Sequence, residues 1–84
     1  MGVLSSMPNI GRELEKKLNA VGILTPEELL NTGSKDVFLK LKTSYPNICL
    51  VHLYALQAAI DNIDMNQLSV NVKAELKFYS DSIK

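Results

Sequence analysis

Residues 48–60, ICLVHLYALQAAI, offer almost no polar surface beyond His52, Gln57 and the Tyr54 hydroxyl. The stretch is too short to span a bilayer, which takes about 20 apolar residues, and it carries His52 inside it. Read as a helix from 48 to about 62, with Asn47 placed to cap it, it is apolar nearly all round. Such a helix is either buried in its own fold or half buried and paired with another chain.

Eighty-four residues make a single domain, 1–84 with its core from about 4 to 80, able to fold alone around one thin core. Nine basic residues balance nine acidic ones. The overall field therefore draws neither DNA nor an anionic membrane, and any nucleic-acid grip must be local. Cys49 is the only cysteine, so no intramolecular disulfide can form. With no signal-peptide pattern at the start, a reducing cytoplasmic setting is the expectation. MGVLSS fits the Gly2 and Ser6 pattern of N-myristoylation, but that pattern is permissive and one acyl chain anchors weakly. No membrane association is expected.

Four further helices follow from caps and periodicity, giving an all-α fold of about five short helices with no strand alternation. Ile10, Leu14, Leu18 and Val21 recur at helical spacing opposite Arg12, Glu13, Glu15, Lys16 and Asn19, so a helix runs from 9 or 10 to 21 and stops at Gly22. Thr25-Pro26-Glu27-Glu28 reads as a capping box, with Glu28 reaching back to the cap amide of a short helix that ends at Gly33. Ser34 is expected to cap a third helix with Val37, Phe38, Leu41 and Tyr45 inward, closed by Pro46. Ser69 is expected to cap the last, with Val72, Leu76, Tyr79 and Ile83 inward.

Catalytic chemistry has little to work with: one His, one Cys, no paired acid cluster and no glycine-rich phosphate loop. Cys49 and His52, three apart, could be imagined as nucleophile and base, but their apolar surroundings favour a packed thiol and a boundary imidazole. Asn62, Asp64 and Asn66 imitate the start of a calcium loop, yet Gln67 stands where the turn glycine belongs and Lys73 where the closing Glu belongs. A solvated turn is the better reading, and no metal or cofactor is expected.

The start of the first helix carries more information. A tight turn into a helix presents free amides at the positive end of the helix dipole, a geometry suited to an anionic oxygen. Asn9, Ile10 and Gly11 supply the turn, with Arg12 and Lys16 one helical turn apart and Lys17 nearby. This is similar to the second half of a helix-hairpin-helix, with Asn9 in place of the first glycine and MGVLSS too short for the preceding helix. Glu13 and Glu15 weaken the local field, and Glu13 is placed to pair with Lys17. The turn thus serves either phosphate contact or structure alone.

Taken in order, P-N-I-G, G-I-x-T-P-E-E-L, G-S, C-L, L-Y-A-L and V-K-A-E-L, from about Leu4 to Tyr79, this chain resembles the C-terminal domain of the TfoX family, also called Sxy. The resemblance implies an all-helical domain with a helix-hairpin-helix-like turn, no enzymatic activity, and contact with double-stranded DNA or a protein partner. Full-length members carry a separate N-terminal domain and act as competence regulators with the cyclic AMP receptor protein. These 84 residues hold no counterpart of that domain, so regulator activity is not implied whole. Only Pro8, Asn9, Ile10, Gly11 and the helix behind them transfer as a contact surface. The other reading is a protein-interaction module in which the apolar fourth helix, with the last helix beside it, makes a homodimer.

Overall fold

In the computed structural model, which describes residues 4–83, helix α1 spans Arg12–Ala20 behind Gly11, whose extended backbone (φ −92°, ψ −179°) makes it the N-cap. The helix starts later than its apolar periodicity suggests because Asn9 takes a left-handed conformation at φ 69° and turns the chain out of helical register. At the other end, the Ile23 N–H donates to the Leu18 carbonyl (2.9 Å) and the Gly22 N–H to that of Asn19 (3.1 Å). With Gly22 at φ 91°, this is a Schellman closure, which a side chain at that position would strain.

Helix α2 (Pro26–Thr32) starts on Thr25, whose hydroxyl oxygen accepts the Glu28 N–H at 3.2 Å. The Glu28 carboxylate meets the Thr25 hydroxyl at 3.4 Å rather than the expected cap amide. Gly33, at φ 89°, is the single residue separating α2 from α3 (Ser34–Ser44). Ser34 was expected to cap α3, but it lies inside the helix, buried, and its hydroxyl donates to Gln57 Oε1 at 2.6 Å. A partner on another helix has taken the side chain that local reasoning assigned to the backbone.

Helix α4 (Leu50–Asp61) begins after Cys49, not after Asn47. Pro46 and Asn47 instead form a turn closed by the Ile48 N–H on the Tyr45 carbonyl (3.0 Å), which drives Ile48 into the core before the helix starts. Asn62, left-handed at φ 58°, ends α4 with a second Schellman pattern, Ile63 N–H to the Ala58 carbonyl (3.0 Å) and Asn62 N–H to that of Ala59 (3.1 Å). Helix α5 (Val70–Ser82) is capped by Ser69, which accepts the Val72 N–H at 3.1 Å as expected. Short 3-10 turns at Leu4–Ser6 and Met65–Gln67 complete the order. No strand occurs among the described residues.

The apolar character of α4 is used within the chain. Helix α3 packs on one side of it, α5 and the Met65–Gln67 turn on others, while α1 and α2 join the assembly through α3. Leu53, Ala55, Leu56, Ala58 and Ala59 are buried, and of its large apolar side chains only Val51, 54% exposed, faces largely outward. Around α4 gather Leu4, Ile10, Leu18, Leu29, Phe38 and Leu76. The expected inner stripes are in place, with Val21, Tyr45, Val72, Tyr79 and Ile83 only partly covered at the rim. Two rim tyrosines donate to backbone carbonyls, Tyr54 to Lys73 (3.4 Å) and Tyr79 to Lys35 (3.3 Å), fastening α5 to α4 and α3.

Leu18 and Leu56 are fully enclosed. Leu18→Ala and Leu56→Ala are each expected to cost roughly 2–5 kcal/mol through lost burial and the cavity left behind. Denaturant melts measure this directly, and a neutral result for either would remove that residue from the core.

Candidate nucleic-acid interface

The segment leading into α1 is held from the inside. Asn9 donates from Nδ2 to the Ile63 carbonyl at 2.8 Å and accepts the Met65 N–H on Oδ1 at 3.1 Å. One amide side chain therefore clamps the turn to the loop just past α4. Asparagine meets both demands here, since it tolerates positive φ better than other side chains and carries a donor and an acceptor. Glycine in its place would supply the conformation without the clamp.

Ile10 is 4% exposed and its side chain belongs to the core. Of the six residues read as a contact surface, Asn9 and Ile10 thus point their side chains into the structure and act only through backbone shape. Gly11, Arg12 and Lys16 are exposed. No side chain caps the first turn of α1, so the N–H groups that a helix start leaves unpaired stand open beside Arg12. A Cβ at Gly11 would meet no atom within 4 Å, so space does not require glycine there.

The charges are arranged differently from the sequence expectation. Glu13 and Lys17 do not pair; the Lys17 ammonium lies over the Tyr45 ring, 5.6 Å from its centroid. Glu15 turns back to accept the Ser5 N–H at 3.0 Å, which occupies one of the two acids that oppose an anion at this end. Lys17 is half buried and Lys16 is exposed, so Arg12 and Lys16 are the basic groups most open beside the turn.

A cleft of about 280 Å³ joins this turn to the start of α4, lined by Gly11, Glu13, Lys17, Val51, His52 and Met65 among others. At its edge Cys49 and His52 form a capping box for α4. The Cys49 N–H donates to His52 Nδ1 at 3.1 Å, and Sγ lies 3.5 Å from the same nitrogen. Sequence reasoning expected a packed thiol here, but Cys49 is exposed. The three-residue spacing that suggested a nucleophile and base is also the spacing of an N-cap and its third helical residue.

The acidic linker has a local role too. Asp64 Oδ1 accepts the Asn66 N–H (2.8 Å), and Gln67 Oε1 accepts the Asp64 N–H (3.1 Å), so these side chains shape the 3-10 turn. Among the described residues no three His, Cys, Asp or Glu side chains group as metal ligands. No helix there is long and apolar enough to cross a membrane.

Two expectations follow. Asn9→Ala removes both clamp bonds while keeping a strained left-handed residue, and should destabilise the fold by roughly 1–3 kcal/mol in a denaturant melt. His52 has a pKa below its ordinary 6.5, first through burial and then through the Lys17 charge. The downward direction agrees with the geometry, because Nδ1 accepts the Cys49 N–H only when unprotonated. A lowered folded pKa contributes stability above the unfolded value of 6.5 that is lost as pH falls below it. Melting temperature should therefore drop as pH is lowered from about 7 to 5, and His52→Gln should flatten that part of the profile.

The fold has close counterparts. A crystal structure of an uncharacterized protein from Listeria monocytogenes, triclinic form, superposes with a TM-score of 0.94 at 41% identity, covering 95% of this chain and 91% of that one. A tetragonal-form structure of a protein of unknown function from the same organism gives 0.93 at 41% identity, covering 96% and 99%. No curated protein matches this chain. The family model for the TfoX C-terminal domain matches residues 2–79, nearly the whole sequence and all of the helical fold up to the last turn of α5, so the chain belongs to the TfoX C-terminal domain family.

Proposed function

We propose that this protein is a small non-enzymatic module that contacts the nucleic-acid backbone through the open first turn of α1. The observation that carries the reading is an exposed helix start with no side-chain cap, flanked by exposed Arg12 and Lys16 and held in shape by the Asn9 clamp. Amides at a helix start together with an arginine form a surface for phosphate oxygens. Such contacts position a protein on DNA without reading sequence. A place in transcription regulation linked to competence rests on the family resemblance.

The neutral net charge gives no long-range attraction, and the patch reaches only two or three phosphates. Binding should therefore fall in the non-specific range, about 10⁻⁴ to 10⁻⁶ M, with a log–log salt slope of about −2 to −3. Homodimerisation through α4 is the weaker reading, because that helix is covered within the chain apart from Val51.

Fluorescence anisotropy with labelled duplex DNA, at low and near-physiological salt, tests the proposal. Arg12→Glu with Lys16→Glu should abolish binding and leave the melting temperature unchanged. Gly11→Asp is the sharper variant: its carboxylate caps the open amides, holding or raising stability by about a few tenths of a kcal/mol, while excluding phosphate. No binding at low salt, or binding indifferent to Gly11→Asp, would overturn the assignment.

A further inference from the structure

The two most exposed large apolar side chains of the described residues, Val70 (81%) and Phe78 (77%), lie on the same helix, α5. Ala74, also exposed, stands midway between them. These three are four residues apart in turn, a row about 12 Å long on the face away from Leu76 and Ser80. The inner side of α5 is already packed, so this row has no role in the core.

Charge is unequal along its margins. Lys73 and Lys77 lie one turn apart on one side, a like-charge spacing that works against a helix. Glu75 is held by Lys35 at 2.8 Å, which lowers its pKa through the hydrogen bond and the charge. Asp81 also has a partner. An apolar row with two lysines along one margin complements an amphipathic helix with acidic flanks.

We infer that the outer face of α5 docks an acidic amphipathic helix of another protein. A second copy of this chain fits less well. A second α5 would bring its own Lys73 and Lys77 against these lysines, and its Glu75 is already held by Lys35. Duplex DNA would meet the lysines but leave Val70 and Ala74 in water. This site is separate from the first turn of α1 and does not rest on it.

The test uses the full chain, ¹⁵N-labelled, and two synthetic helical peptides with the same leucine row, one flanked by Glu and its twin by Lys. The Glu peptide should shift amides along Val70–Ser82, more weakly as salt rises. Phe78→Ser and Lys73→Glu/Lys77→Glu should each lower its affinity at least about tenfold, with melting temperature and duplex binding unchanged. The charge-reversed variant should now take the Lys peptide. Shifts away from α5, equal binding of both peptides, no binding, or nucleic acid shifting these amides where the Glu peptide does not would each overturn the inference.

Discussion

Covering α4 is the constraint on which the rest of this fold depends. A twelve-residue helix with almost no polar side cannot rest on one neighbour; it must be enclosed from several directions at once. Helices α3 and α5 do so on two sides, and the Met65–Gln67 turn closes part of a third. Ala55, Ala58 and Ala59, small and buried, let the neighbouring helices approach closely, since interaxial distance follows the size of the side chains between them. Helix–helix contact formed this way explains how a short chain builds a working core.

The same helix sets the geometry of the candidate interface. Asn62 ends α4 in a left-handed turn, and the carbonyl of the next residue, Ile63, is what Asn9 grips. The start of α1 is therefore referenced to the end of α4, on the far side of the sequence. A pre-set turn matters for anion contact because ordering it on binding would cost conformational entropy. Ile10 adds to this from below, pinning the turn by its buried side chain while Gly11 and Arg12 after it stay exposed.

Sequence reasoning read the punctuation well where it depends on near neighbours. Thr25, Gly22, Gly33 and Ser69 all act within a few residues of themselves, and each was legible. It failed where a side chain is claimed from a distance. Ser34 is an N-cap by local rules, but Gln57, 23 positions away, takes its hydroxyl. Asn9 was read for the backbone of a phosphate turn, and nothing local shows that its side-chain amide ties that turn to residues 54 and 56 positions on. Cys49 was missed as a cap because thiols rarely serve, although the Cys-x-x-His spacing contained the signal. The role of α4 lay between these cases: its apolarity demanded cover, but nothing local says whether a neighbour or a second chain provides it.

What a domain this size can achieve alone is limited by area. The two or three phosphate contacts proposed at the start of α1, without help from net charge, would hold DNA weakly and select no sequence. The apolar row on α5 is equally small. The two surfaces sit on one rigid core, however, and weak contacts joined on one scaffold gain by effective concentration what neither has separately. A partner bound at α5 that itself lies on DNA would turn the α1 contact into a nearly intramolecular step. With the two proposed surfaces, the domain would be better suited to fastening an assembly onto DNA than to finding a site by itself.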